Sequence, residues 1–404
     1  MESSLRSAYN AAYTPDLYRR YLGRLEARIG HPIPFRVAES PLFLPRPFRE
    51  RISLFAHEIV DQLCDPALIA RASKAIPPEL HTPGQDALAN CIQVDFAVCR
   101  DPQGQWTGQL VELQGFPSLY ALIPLQAQVL ADELRTLPGL DRPWTTLFAG
   151  RTLDQYAARL REALLGGYDP EEVVLLDLDP PSQKTYPDFI ATQQLTGIEP
   201  VCPTSLIREG RRLFRKRGGK QVQVRRIFNR IVFDELERKQ TPLPFRFSDD
   251  LEVSWFPHPN WYWIWSKFTL PLLDHPAIPR AQLLSELQET PEDLNNYVLK
   301  PLFSFAGTGV KVDVTRADLE AIPKEQRNQW LLQEKIHYAD AFLTPQGHGV
   351  KAEIRMMFLR GSEEEKPELV MNLVRLSRGK MLGVDHNKDL DWVGGTVGIW
   401  PEDD

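Results

Sequence analysis

Cysteine is scarce in this chain of 404 residues: Cys64, Cys91, Cys99 and Cys202 are its four, and no two form a C-x-x-C pair. At this size that argues against a disulfide framework and for reduced, mostly buried thiols. Long apolar runs are missing too. No stretch is long enough to span a bilayer, and "MESSLRSAYNAAYTPDLYRRYLG" has no apolar core of signal-peptide length. The expectation is a cytoplasmic protein with no membrane partner. Positive charge is not in excess: the formal charge is -7 and the pI near 5.7. Broad, salt-driven binding to nucleic acid is therefore not expected, although a local basic patch is compatible with that balance. No internal repeat, low-complexity tract, Ser-His-Asp or Cys-His arrangement is evident.

What the chain does have is an ordinary globular composition, 43% hydrophobic and 25% charged, and length for two or three domains. Its 34 prolines imply many loops and short elements. Residues 5–30 and 50–74 read as helices. "CIQVDFAVCRDPQGQWTGQLVELQ" reads as a β-hairpin: Val94, Phe96 and Val98 alternate, "DPQG" turns, and Leu110 and Leu113 return. Residues 117–136 and 151–165 read as helices. "EEVVLLDLDPP" is a buried-strand pattern, followed by the helix "YPDFIATQQLTG" and the strand "IEPVCPT", which together suggest a βαβ unit. A hairpin turns at Gly218-Gly219. A helix is expected at 281–290. Residues 297–343 read as two strands, a helix and a third strand, and the remainder as strands and turns, including "GKMLGV". "GSEEEKPE" reads as an exposed turn, since so many acids are costly to bury.

Three constellations carry chemistry. In "YVLKPLFSFAGTGVKVDV" a strand ends on Lys300 before a loop with Ser304, Gly307, Thr308 and Gly309. Such a loop lays backbone N–H groups on phosphate oxygens, and a lysine adds a full charge. Alone, the segment reads as plainly as an ordinary hairpin, and Lys267 in "WSKFTLPLL" as a surface lysine. Together the two lysines would clamp a triphosphate. "LLQEKIHYAD" would form a hinge beside a flat base at Gln333, Glu334 and Ile336, with Asp340 on sugar hydroxyls; the plainer reading is a buried strand ending in a turn. On adjacent antiparallel strands Asp95 and Glu112 would be able to meet on one face, and Glu112 and Gln114, two apart, share one side. Two carboxylates and an amide oxygen are hard ligands suited to Mg²⁺. The alternative is a solvent-facing polar stripe, which the apolar neighbours Val94, Phe96, Val111 and Leu113 argue against.

Taken together, these segments resemble the ATP-grasp superfamily. The matches are Lys267, "LKPLFSFAGTGV" with Lys300, "LLQEKI" with Glu334, Glu353 and Arg355 in "EIRMMFL", and Arg375, Asn387, Gly394 and Gly395 further on. The metal hairpin matches as Asp95 and Glu112, with Gln114 where the family usually has asparagine. That hairpin precedes the rest, as in circularly permuted members resembling the synthetase domain of glutathionylspermidine synthase. The resemblance implies an α/β (α+β) ATP-grasp fold: residues 1–165 as the permuted portion with the metal hairpin, 166–265 as a βαβ pre-ATP-grasp domain, and 266–404 as lid and nucleotide-binding strands. It implies ATP and Mg²⁺ as cofactors and a carboxylate, small or peptidic, joined to an amine through an acyl phosphate. Arg355 or Arg375 would steady the transferred phosphoryl group or the acid. The alternatives are a nucleotide-binding scaffold or sensor, and a phosphotransferase with another acceptor. Arg225, Arg226 and Arg230 read equally as substrate contacts or as part of a solvated hairpin. "WFPHPNWYWIW" reads first as domain-packing core and second as a pocket wall.

Overall fold

The computed structural model describes residues 3–303, 309–361, 366–379, 387 and 389–403. Alternation at 91–100 produces a strand with two different faces. Val94, Phe96 and Val98 enter the main core, while Gln93, Asp95 and Ala97 face the opposite way, equally shielded from solvent. The strand lies inside an antiparallel sheet, and both faces of that sheet are covered along it. The order there is Gly394–Thr396, Glu368–Ser377, Gly349–Leu359, Cys91–Arg100 and Trp106–Gln114, with Phe342–Leu343 pairing onto Gly349–Leu359. The hairpin near the start of the chain is thus completed by strands near its end.

A second sheet, all parallel, runs Ser254–Phe256, Arg226–Asn229, Val173–Leu176, Glu199–Val201. The helix Tyr186–Thr196 connects its last two strands, giving the expected βαβ unit. A third, antiparallel sheet is smaller: Ala281–Leu283, Trp330–Glu334, Tyr297–Pro301. Its outer face has a core of its own, including Leu299, Val314, Leu319 and Leu332. Its other face carries Lys300 and Gln333 towards the central sheet. Among the described residues, no helix is long and apolar enough to cross a membrane. The architecture is a mixed α+β fold.

Several expectations need correction. The helix expected over 5–30 is two, Ser3–Ala12 and Pro15–Ile29, because Pro15 starts a new helix behind the Thr14 cap. The helix over 50–74 likewise divides at Pro66, behind the Asp65 cap, into Arg46–Leu63 and Pro66–Ala72. No helix forms over 281–290: Ala281–Leu283 pairs antiparallel with Leu331–Gln333, and one 3₁₀ turn follows. The strand expected through Val310, Val312 and Val314 reduces to a single bridge between Leu299 and Lys311. Most of "GKMLGV" and the acidic part of "GSEEEKPE" lie outside the described residues.

Candidate active site

Pairing register assembles the site. Asp95 lies opposite Glu112 on one neighbouring strand and Arg355 on the other; Glu353, two residues before Arg355, lies opposite Arg375. The period of two places all five on one face of the sheet. Arg355 grips Asp95 through two hydrogen bonds, Nε to Oδ1 at 2.7 Å and Nη2 to Oδ2 at 2.6 Å. Arg375 donates to the same Asp95 Oδ2 at 2.8 Å and to Glu353 Oε2 at 2.6 Å, and stands 3.7 Å from Glu112. Tyr338 donates its hydroxyl to the other oxygen of Glu353.

A cavity opens beside this network. Glu112, Gln114, Lys267, Arg355 and Arg375 line it. Phe116, Tyr262, Trp265 and Phe303 line it as well. Gly115 brings the strand end at Gln114 against the aromatic segment 261–265: its N–H donates to Trp265 O at 2.9 Å, and a β-carbon there would lie 2.1 Å from the Trp261 carbonyl oxygen. Lys267 opens a 3₁₀ helix behind the Ser266 cap. Lys300 reaches from the small three-stranded sheet to the central sheet, donating to Gln333 Oε1 at 2.7 Å and Val111 O at 3.3 Å.

Charge is concentrated here. Burial would raise Glu112, but Lys267, Arg375, Arg355 and Lys300 pull it down to about 2. Burial lowers Lys300 to about 8 against the attraction of Glu112, with Lys267 pushing the same way. Burial lowers Lys267 as well. For Arg375 the burial cost is outweighed by Glu353, Asp95 and Glu112, and its guanidinium is held charged. Burial raises Glu353, with Arg375 opposing.

The donor set fits a hard cation in part. Both oxygens of Asp95 are taken by arginines, so the donors that face the cavity are Glu112 and Gln114. Gln114 Nε2 donates to Glu112 Oε1 at 2.8 Å, which leaves the amide oxygen of Gln114 free to accept. One carboxylate and one amide oxygen would share a cation with phosphate oxygens. Gln333 is the partner of Lys300. The Lys300 ammonium can only donate, which fixes the amide with Oε1 towards it. Among the described residues, the Nε2 donor of this fully buried side chain has no partner, and it lies in the sheet face beside Lys300.

Of the residues singled out from sequence, Asp95, Glu112, Gln114, Lys267, Lys300, Gln333, Arg355 and Arg375 converge here. Glu334 and Ile336 lie further along the hinge segment. Glu334 accepts from the Arg280 N–H at 3.3 Å. Asp340 is exposed, its carboxylate so close over Gly349 that a β-carbon there would lie 2.3 Å from Oδ2. Gly309 takes a left-handed φ of 77°; Ser304, Gly307 and Thr308 fall outside the described residues. The three arginines of the basic stretch have internal partners. Arg225 binds Glu172, Arg226 binds the carbonyls of Ala163 and Leu164 at a helix end, and Arg230 forms a buried pair with Asp188 at 2.6 Å. Tyr338 was not legible from sequence, and no local pattern marks it. Phe116, just past the strand Trp106–Gln114, is not among the residues singled out from sequence, and Tyr262 and Trp265 stand there only as members of the aromatic run.

The fold is similar to that of a glutathione synthetase-like effector from Globodera pallida, solved in its apo form. The TM-score is 0.57 with 14% identical residues, over 90% of this chain and 97% of that one. No protein-family model and no curated protein matches the sequence. The likeness at this identity shows a shared fold.

Proposed function

We propose that the protein is an ATP-dependent carboxylate–amine ligase of circularly permuted ATP-grasp type, forming an amide through an acyl phosphate and releasing ADP. The observation that carries this reading is the meeting of Glu112, Gln114, Lys267, Arg355 and Arg375 around one cavity, with Lys300 beside it. The fold shared with a glutathione synthetase-like protein supports it. The pairing of the early hairpin with the late strand Gly349–Leu359 supports the permuted order.

A carboxylate is a poor electrophile at neutral pH, and phosphorylation supplies its leaving group. Transfer of the phosphoryl group is then mainly a matter of positioning and charge neutralisation. Lys267 and Lys300 hold phosphate oxygens. Gln333 and the backbone of 334–336 meet the base, and Asp340 the sugar. Glu112 and Gln114 would hold Mg²⁺, which when bound would neutralise phosphate charge. Asp95 and Glu353 fix Arg355 and Arg375 so that their outward edges face the reacting groups. Binding reactants side by side supplies the remaining advantage. The partners are a small or peptidic carboxylate and an amine acceptor.

ATP turnover tests the reading. A ligase releases ADP and phosphate when acid and amine are both present, with little idle hydrolysis. Nucleotide binding with no turnover across an acid–amine screen would instead leave a scaffold or sensor, and phosphate transferred to another acceptor a phosphotransferase.

A further inference from the structure

The cavity is lined by two unlike sets of side chains. One is ionic: Glu112, Lys267, Arg355 and Arg375. The other is an aromatic wall: Phe116, Tyr262, Trp265 and Phe303. The aromatic wall is held in place by ring contacts. Phe116 meets Tyr262 edge-on at 6.1 Å, Phe303 meets Trp263 at 4.9 Å, and Trp265 stacks on Trp261 at 5.5 Å. Tyr262 also meets Phe233 at 5.1 Å, and its hydroxyl is committed to Asp234 at 2.9 Å. These rings therefore present apolar surface in a fixed arrangement, which lowers the ordering cost of binding.

We propose that this wall is the subsite for an apolar, preferably aromatic, portion of the carboxylate substrate, whose carboxylate lies against the cationic side chains. The inference rests on the ligase reading above and adds the substrate class to it. A substrate with a second charge at this place would give up hydration against rings that offer no counter-charge. A flat or branched apolar group loses nothing polar there and gains contact with rings that prefer edge-to-face and offset packing. The ionic set alone sets no such preference, since it would take any carboxylate.

The test is calorimetric titration of 3-phenylpropionate, glutarate and acetate, each with and without Mg²⁺ and a non-hydrolysable ATP analogue. The proteins are the wild type, Phe303→Ser and Phe116→Ser, with folding checked by circular dichroism. Phe303 is only half-buried, and Phe116 addresses the same wall from the metal hairpin. The wild type is expected to bind 3-phenylpropionate at least tenfold more tightly than the other two acids. Either variant is expected to erase most of that preference. Equal affinity for the three acids, or a preference untouched in the folded variants, would overturn the subsite. A tenfold preference that the variants erase, in a protein that does not bind the nucleotide analogue, would uphold the subsite and overturn the ligase reading.

Discussion

Asp95 and Arg355 are 260 positions apart in the chain, yet face each other across neighbouring strands and share hydrogen bonds of 2.7 and 2.6 Å. Arg375 adds a third contact to the same carboxylate at 2.8 Å. Asp95 is fully buried, so removing its charge takes from the buried Arg355 guanidinium its counter-charge, while Arg375 keeps its bond to Glu353. Asp95→Asn is expected to cost about 3–5 kcal/mol, the range for breaking a buried pair from one side. Urea unfolding would measure it, and a cost below about 1 kcal/mol would mean that the clamp does not hold the site.

Gly115 carries a steric prediction. A β-carbon there would lie 2.1 Å from Trp261 O, so Gly115→Ala must push apart the end of the hairpin 91–114 and the aromatic segment. Overpacking of this kind costs about 1–3 kcal/mol, and the cavity geometry should suffer with it. A thermal melt checks the first effect and nucleotide titration the second. A variant with unchanged melting temperature and affinity would show that the two segments are not in this contact.

Lys300 gives a prediction in pH. Its folded value, about 8, lies below the usual lysine value of 10.5. Between those values the unfolded chain binds more protons, so the stability contributed by this group rises with pH across the window. Lys300→Met should flatten that rise in unfolding curves at pH 7.5 and 9.5. On the proposed role of Lys300 as a phosphate-binding cation, ATP affinity should also fall as pH climbs past about 8. Lys300→Ala should weaken binding at pH 7, while Lys300→Arg should keep binding flat to pH 9.5. A wild type whose affinity is flat over that range, or a Lys300→Ala variant that binds as well, would return this lysine to a packing role.

Much of this was legible in the sequence where the physics is local. Alternation through Val94, Phe96 and Val98 marks a strand and places Asp95 on its other face. The order strand, helix, strand from 173 to 201 marks a βαβ unit. Tertiary pairing defeats local reading elsewhere. The segment from Ala281 has helical spacing but becomes an edge strand beside Trp330–Glu334. The arginine clamp is also hidden, because it depends on register between strands at opposite ends of the chain. Arg226 and Arg230 look like substrate contacts in a basic run, and only folding brings them to the carbonyls of 163–164 and to Asp188.

The central claim is that Glu112 and Gln114 receive a cation together with phosphate groups. It is tested most directly by calorimetric titration of ATP, with and without Mg²⁺, into wild type and Glu112→Gln. The wild type should bind ATP more tightly when Mg²⁺ is present. The variant should fold, lose that gain, and show no Mg²⁺-dependent turnover. A variant with the full Mg²⁺ gain, or a wild type that binds no ATP under either condition, would contradict the account.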